Sequence, residues 1–234
     1  MNPGHAAFLL AVVVWPASVT ADETELVEPV RPYVRRVVES LDSLPTERQQ
    51  VLSGAADYVI ERIESGQPAQ LVFICTHNSR RSHLSHIWCQ TAIAYYDVPG
   101  VKTYSGGTQE TACNIRTIRA LRRAGLSAVA STEGKNPVYL VQYAEDGPPI
   151  RAYSKLYTEE GNPTSEFAAL ICCSDADRSC PVVDGADGRF ALHYEDPKVA
   201  DDTPLESQQY DERSLEIARE MFFLMSEVAR RLDE

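Results

Sequence analysis

Residues 71–82 read LVFICTHNSRRS, an apolar run that ends at Cys75 and is followed six positions later by Arg81 and then Ser82. The apolar run is typical of a strand that is buried on both faces of a parallel sheet. Open α/β sheets bind their ligands at the carboxyl end of such a strand, where the chain leads into a helix. The stretch therefore predicts an α/β fold with a ligand site between Cys75 and Arg81.

The residues between Cys75 and Arg81 suit a tetrahedral oxyanion. Their backbone N–H groups, together with the N-terminus of the next helix, can point at one negatively charged group. Arg81 adds a planar guanidinium that matches two oxygens of phosphate or arsenate. These groups favour an ionised thiol, so we expect Cys75 to be a thiolate nucleophile. The alternative is a buried structural cysteine beside a surface arginine.

Strands and helices alternate on either side of this stretch. Their pattern predicts strands at 70–75, 101–105, 167–173 and 189–194, and helices at about 81–96, 112–124 and 208–232. Alternation of this kind implies right-handed crossovers between parallel strands. We therefore predict a three-layer α/β fold in which helices flank a four-stranded, mainly parallel sheet.

The segments outside this alternation predict further units. The apolar stretch at residues 6–15 is too short to span a bilayer and precedes small residues at a cleavage-like site, which predicts a signal peptide over 1–21. Export to the periplasm is then expected, with a cytoplasmic location as the alternative. Residues 22–68 predict a helical hairpin extension. The main domain would cover 69–234, with an insertion at about 127–165 that contains strand-like pieces at 138–143 and 150–154.

The charge balance limits the partners. Asp and Glu outnumber Lys and Arg by 34 to 22, which gives a net charge of −12. Such a chain is not expected to bind nucleic acid or an anionic membrane surface. His83 and His86 could form a metal-binding pair, but without carboxylate partners they are more typical of a solvated helix face, and no metal is predicted. The oligomeric state stays open.

Six cysteines are present, and two of them bracket SDADRS directly after a predicted core strand. These are Cys173 and Cys180, which should lie near Cys75 because the carboxyl ends of parallel strands meet at one edge. Their spacing is poor for zinc but is compatible with a static disulfide or with a redox relay. In a regular helix their Cα atoms would be about 10 Å apart, so pairing requires this segment to unwind. Cys89 and Cys113 are expected to be small buried side chains.

An Asp-Pro pair follows the last predicted strand, in the sequence HYEDPK at residues 193–198. The residue before a proline is held extended, so Asp196 could reach over the anion site. There it could serve as a general acid on the leaving oxygen. An Asp-Pro pair is also a common structural turn.

Taken together, these motifs resemble the low-molecular-weight protein tyrosine phosphatase superfamily, and within it the thioredoxin-coupled arsenate reductases. The resemblance runs from about residue 70 to the C-terminus and is interrupted by the insertion. It rests on CTHNSRRS (75–82), YSGGT (104–108), CSDADRSCP (173–181) and EDP (195–197). Two loop positions depart from the family pattern: His77 replaces a usual glycine, and Arg80 replaces a frequent second cysteine.

The resemblance implies the low-molecular-weight phosphatase fold and a role for each motif residue. Catalytic roles fall to the nucleophile Cys75, the oxyanion-binding Arg81, the acid Asp196 and the relay cysteines Cys173 and Cys180. Substrate-binding roles fall to Thr76, His77, Asn78, Ser79, Arg80 and Ser82, with Asn78 shaping the loop and Ser82 bonding the thiolate. No bound cofactor is implied.

Two activities compete under this resemblance, and a non-catalytic phosphoanion-binding module is the third alternative. The first is arsenate reduction, in which Cys173 attacks the Cys75–arsenate adduct and Cys180 then takes over the disulfide for reduction by thioredoxin or a similar dithiol. The second is hydrolysis of phosphotyrosine or another phosphate ester through a phosphocysteine intermediate. The resemblance to the reductases favours the first activity.

Overall fold

The computed structural model describes residues 22–179 and 182–234. The predicted signal peptide at 1–21 and the relay candidate Cys180 lie outside the described residues. Among the described residues, no helix has the length and apolar character needed to cross a membrane.

Seven strands and six α-helices make up the described chain. The strands are β1 Ala69–Cys75, β2 Val101–Gly107, β3 Ser127–Ala130, β4 Tyr139–Gln142, β5 Ile150–Ala152, β6 Phe167–Ile171 and β7 Ala186–Ala191. The helices are α1 Arg31–Val38, α2 Thr46–Glu64, α3 Arg81–Tyr96, α4 Ile115–Arg123, α5 Ser174–Ser179 and α6 Glu206–Leu232.

The main sheet has the strand order β2-β1-β6-β7, and all three pairings are parallel. The predicted four-stranded parallel sheet flanked by helices is thus confirmed. β1 lies between two neighbours, which is why its side chains are almost all buried and its sequence is continuously apolar. The central position of β1 brings Cys75 to the middle of the carboxyl edge of the sheet.

β7 differs from its prediction at 189–194, because it begins three residues earlier, at Ala186, and ends at Ala191. It is an edge strand whose residues are mostly half-buried or exposed. The start of β7 is set by hydrogen bonding to β6. The sequence pattern detects apolar runs, and β7 does not begin with one. As a consequence, residues 192–196 belong to the loop that leaves the carboxyl edge.

Helices pack against the sheet and against one another. α3 packs on β1 and β2, and the long helix α6 packs on α3, α2, α4 and α1. α1 and α2 occupy the N-terminal range that was predicted to be a helical hairpin. α2 lies against β1 and β7, and apolar side chains of both helices join the common hydrophobic core.

The insertion forms a second sheet of three antiparallel strands in the order β3-β4-β5. The two predicted strand-like pieces correspond to β4 and β5, whereas β3 was not predicted. After β5 the chain runs back to the main sheet, where Leu156 bridges to Gly107 in a parallel sense. The insertion is therefore joined to the edge of β2, beside the predicted anion loop.

Candidate active site

The Cys75 thiol lies at the base of the loop, and its side chain is almost fully buried. Its Sγ is 3.1 Å from Ser82 Oγ, on the first turn of α3. Ser82 Oγ in turn accepts a hydrogen bond of 2.9 Å from Asn78 Nδ2. Since that bond occupies an acceptor position on the hydroxyl, the Ser82 proton is free to point at the sulfur. The hydroxyl can therefore donate a hydrogen bond to the Cys75 sulfur.

The loop presents a set of backbone donors. Within the described part of the chain, no acceptor receives a hydrogen bond from the backbone N–H groups of residues 76–80. Asn78 has a φ of 42°, a left-handed conformation that turns successive N–H groups toward one side. Buried N–H groups normally have partners, so a run without them indicates a site for an anion.

Contacts from three segments hold the loop in this shape. Ser79 Oγ donates to Ala112 O at 2.6 Å. The insertion contributes two more contacts: Ser154 Oγ donates to His77 O at 2.7 Å, and Lys155 N donates to Asn78 Oδ1 at 3.1 Å. The left-handed backbone of Asn78 is thereby fixed by its own side chain, which bonds to both α3 and the insertion.

Gly107, from the YSGGT motif, packs directly against the loop. A Cβ at this position would lie 2.6 Å from Gln109 O and 2.8 Å from both Asn78 N and Thr76 O. Each of these distances is shorter than a carbon atom tolerates, so only glycine fits. The close packing of β2 against the loop therefore explains why the YSGGT motif has glycine at position 107.

Arg81 lies on the first turn of α3, and its guanidinium is turned toward the loop after β7. Its Nη1 donates to Tyr194 O at 3.0 Å and its Nη2 donates to Asp196 Oδ2 at 2.8 Å. Its Nε is buried and has no hydrogen-bond partner among the residues that the structure describes. A buried guanidinium with an unused donor is unusual, and it is consistent with a group that receives another ligand.

Asp196 is placed by its own backbone position. It precedes Pro197, has an extended backbone, and its Oδ1 accepts from Lys198 N at 3.1 Å, so it caps the short 3-10 turn Pro197–Ala200. Arg81 and Asp196 both line a cleft of about 440 Å³. The carboxylate predicted from the Asp-Pro pair is thus next to the predicted arginine.

The other loop residues point in different directions. Arg80 turns away toward α6, where its Nε donates to Tyr210 Oη at 2.7 Å and its Nη2 to Asp201 at 3.3 Å. His77 lines a second cleft of about 470 Å³, on the other side of the loop. The left-handed residue of the loop is Asn78 and not His77. His77, where the resemblance led us to expect a glycine, therefore does not adopt the left-handed backbone that glycine favours.

The predicted relay cysteine Cys173 lies next to the loop, where its side chain contacts Thr76. The Cys173 Sγ is 3.5 Å from Thr76 Oγ1 and accepts a hydrogen bond from Ala176 N at 3.4 Å. Residues 174–179 form the helix α5, so the segment that would have to unwind for pairing with Cys180 is helical here. The relay stays a prediction.

The two histidines of α3 are placed differently from the prediction. His83 is buried, which lowers its pKa from 6.5 to about 3, and desolvation likewise lowers the pKa of His86 to about 3. The prediction that these histidines lie on a solvated helix face was wrong, because the side of α3 that carries them packs on β2. In the described ranges, no cluster of three or more metal-ligating side chains occurs.

Cys89 and Cys113 are buried and free, as predicted. Burial raises the pKa of the Cys89 thiol above its ordinary value and that of the Cys113 thiol to about 12. Neither thiol is therefore suited to act as a nucleophile.

Sequence reasoning missed several residues that touch this site, among them Lys155, Tyr194 and Cys172. Lys155 and Tyr194 contact the loop and Arg81 through their backbones, so no side-chain pattern could have identified them. Cys172 was recognised as a cysteine but was given no role, although it extends the pairing of β6 beside Cys75. Its position could have been found only from the register of the two strands.

No family model matches the chain, and no curated protein matches its sequence. Several solved structures are similar to it, among them low-molecular-weight phosphatases. A low-molecular-weight phosphotyrosine phosphatase from Vibrio cholerae has 11% identity and a TM-score of 0.46, and the match covers 71% of this chain and 97% of that one.

Two further structures give similar values. For an arginine phosphatase from Geobacillus stearothermophilus the identity is 17% and the TM-score 0.43, with 70% of this chain and 93% of that one covered. For a low-molecular-weight protein tyrosine phosphatase from Bacillus subtilis they are 15% and 0.45, with 69% and 97% covered.

Proposed function

We propose that the protein hydrolyses phosphate monoesters through a phosphocysteine intermediate. The observation that carries the proposal is the Cys75 sulfur in contact with the Ser82 hydroxyl, at the base of a loop whose backbone N–H groups have no acceptor in the described chain. One loop thereby supplies both the nucleophile and the backbone donors that can bind an anion.

In the first chemical step, the Cys75 thiolate attacks phosphorus and the ester oxygen leaves. The loop N–H groups and the Arg81 guanidinium hold the three non-bridging oxygens, whose charge has to be stabilised in the transition state. For this, Arg81 exchanges its hydrogen bond to Asp196 for one to the substrate. The released carboxyl group of Asp196, in its protonated form, then donates a proton to the leaving oxygen.

In the second step, water attacks the phosphocysteine and regenerates the thiolate. Asp196, now ionised, takes a proton from the attacking water, which reverses its role in the first step. Inorganic phosphate leaves and the initial state is restored. The cleft beside Arg81 also carries Asp175 and Glu195, which favours substrates whose leaving group is neutral or cationic over strongly acidic ones.

The test is hydrolysis of p-nitrophenyl phosphate, followed by a panel of phosphotyrosine peptide and phosphoarginine, because structures of tyrosine and arginine phosphatases are among those similar to this chain. We expect Cys75→Ser to reduce turnover to the uncatalysed background, since no thiolate remains. Cys89→Ser is the matched control: it alters another buried cysteine and should leave turnover unchanged.

The intermediate itself can be measured. Rapid acid quench of the wild type with substrate should add one phosphate to the tryptic peptide of residues 63–80, which contains Cys75 and no other cysteine. A phosphate found on another peptide, or turnover in Cys75→Ser, would contradict the proposal.

Arsenate reduction is the second candidate, and the position of Cys173 beside Thr76 of the loop favours it. It would require arsenate-dependent oxidation of reduced thioredoxin. Under this alternative, Cys173→Ser and Cys180→Ser each stop arsenate turnover and leave aryl phosphate hydrolysis intact. If arsenate consumes no thiols in the wild type, only the phosphatase proposal remains.

A further inference from the structure

Cys172 is the residue that the strand register brings beside the nucleophile. β1 and β6 pair in register up to Ile74 and Ile171, and the pairing continues one residue further, because Cys172 N donates to Ile74 O at 2.7 Å. The next position in that register places Cys75 opposite Cys172. Adjacent strands lie about 4.8 Å apart, which is within the range of roughly 4.4–6.8 Å between the Cα atoms of a disulfide.

The side chains of these two cysteines lie on the same face of the sheet. Successive residues of a strand alternate between faces, so residues opposite each other in register share a face. α3 confirms this, because Cys75 Sγ contacts Ser82 Oγ and Cys172 Sγ contacts Ser85 Oγ at 3.5 Å. The two serines are one helical turn apart on the same side of α3.

Cys173 has the opposite orientation. Its Sγ contacts Thr76 Oγ1, and extending the β1–β6 register by two residues beyond Ile74 and Ile171 would place Cys173 opposite Thr76, on the other face. Among the described cysteines, the thiol nearest to Cys75 by pairing and by face is therefore Cys172, whereas Cys173 would need the chain after β6 to rearrange.

We infer that Cys172 is a resolving thiol for Cys75 when the nucleophile is oxidised by a peroxide. This inference goes beyond the proposed hydrolysis and does not depend on it, because it requires only an oxidisable thiol at Cys75. The burial of Cys172 raises the pKa of its thiol, which keeps it neutral and unreactive toward external oxidants. Only an oxidised sulfur directly beside it comes within its reach.

The chemistry has two steps. Hydrogen peroxide oxidises the Cys75 thiolate to the sulfenic acid and is reduced to hydroxide. The Cys172 sulfur then attacks the Cys75 sulfur, the S–O bond breaks, and the departing hydroxide takes the Cys172 proton and leaves as water. An external dithiol later returns both cysteines to thiols and becomes a disulfide itself. The bond protects Cys75 from further, irreversible oxidation.

Tryptic peptides separate the alternatives. Cys75 falls in residues 63–80, Cys172 and Cys173 fall together in 156–178, and Cys180 falls in 179–189. The full-length protein is treated with hydrogen peroxide, blocked with an alkylating reagent and digested without reduction. We expect a disulfide between the peptides 63–80 and 156–178 in the wild type, and the same disulfide in Cys173→Ser.

The variant that tests the inference is Cys172→Ala, with Cys172→Ser as a second version in case the cavity destabilises the fold. We expect the linked peptide to be lost in both, with Cys75 found as sulfinic acid and no longer recoverable by dithiothreitol. The matched control is Cys89→Ala, another fully buried cysteine, which should keep the linked peptide.

Three results would overturn the inference. These are a link that persists in both Cys172 variants and disappears in Cys173→Ser, a link from Cys75 to the 179–189 peptide in the wild type, and no link at all while Cys75 becomes sulfinic acid. Because the readout is a peptide mass, its failure is distinguishable from a failure of phosphatase activity, which is measured separately on the reduced protein.

Discussion

Two arginine–carboxylate pairs lie close together in this protein and differ in how completely they are satisfied. Arg48 binds Glu220 with two parallel hydrogen bonds of 2.7 and 2.5 Å, and Tyr194 Oη donates a third to the same carboxylate at 2.6 Å. Arg81 makes a single hydrogen bond to Asp196, whose side chain is 27% exposed, and the buried Nε of Arg81 has no partner in the described part of the chain.

The difference separates a structural pair from a pair that is ready for a ligand. Glu220 is buried and fully used, so the first pair can only hold α2, α6 and the loop after β7 together. Arg81 and Asp196 have unused bonding capacity in a cleft. Tyr194 joins the two pairs, because its hydroxyl serves Glu220 while its carbonyl receives Arg81. The structural pair thus sets the position of the functional one.

Among substitutions in the two pairs, the largest effect should come from Arg81→Lys. A lysine keeps the charge but loses the planar fork, so we expect kcat for aryl phosphate to fall by roughly 10²- to 10³-fold. The free energy of unfolding should change by only about 1 kcal/mol. Arg48→Lys is the matched control and should retain most of the activity while losing stability. Equal losses of activity in the two variants would remove the distinction between the pairs.

Glu220→Ala should have the opposite profile. It leaves the Arg48 guanidinium and the Tyr194 hydroxyl without their carboxylate, and breaking a buried pair in this way costs about 3 kcal/mol of unfolding free energy. Chemical denaturation measures this loss, and Glu220→Gln should lose less because it keeps an acceptor. If Glu220→Ala unfolds at the same denaturant concentration as the wild type, the pair is not structural.

A buried histidine beside the anion loop predicts an acid-sensitive stability. Desolvation holds the pKa of His83 at about 3, below the value of 6.5 expected for the unfolded chain. Between these values the unfolded state binds more protons, so stability is complete above pH 6.5 and is lost as the pH falls. His83 alone should cost about 2 kcal/mol between pH 6.5 and pH 5.

His83 lies on α3, the helix that follows the anion loop. Urea unfolding at several pH values will measure how the free energy of unfolding depends on pH. His86 has a similarly lowered pKa, so His83→Gln should reduce the slope of the profile in this interval without abolishing it. An NMR titration of the His83 ring in the folded protein gives an independent check, and a midpoint near pH 6.5 would contradict the prediction.

The smallest effect is expected for Tyr194→Phe, which tests the link between the two pairs. The substitution removes one hydrogen bond to a buried carboxylate and should cost about 1.5 kcal/mol of stability. Burial and the nearby Glu220 raise the pKa of Tyr194, so the hydroxyl is a proton donor at all working pH values. Because the carbonyl that holds Arg81 is retained, kcat should change by less than roughly threefold.

The sequence predicted what depends on local pattern. β1 and α3 were located to within a residue, because an apolar run and a helical period mark them. Cys75, Arg81 and Asp196 were placed near one another because strand ends of a parallel sheet meet at one edge. That inference needed only the order of the elements.

Features that depend on contacts between distant parts of the chain could not be predicted from the sequence. The burial of His83 follows from the packing of α3 on β2, which no composition rule states. The proximity of Cys172 to Cys75 follows from the β1–β6 register, since a shift of one residue would have placed Cys173 there instead. The contacts of Ser154 and Lys155 with the loop come from an insertion whose path has no periodic signature.

The return of the chain from the insertion has one more consequence. By pairing with Gly107, residues 155–157 cover part of the outer border of β2, which would otherwise offer free N–H and C=O groups to another molecule. The same residues fix the loop backbone through Asn78. A protein without the insertion should therefore self-associate through the exposed edge of β2, and its anion loop should be less well ordered. One segment thus both prevents aggregation and holds the catalytic loop in shape.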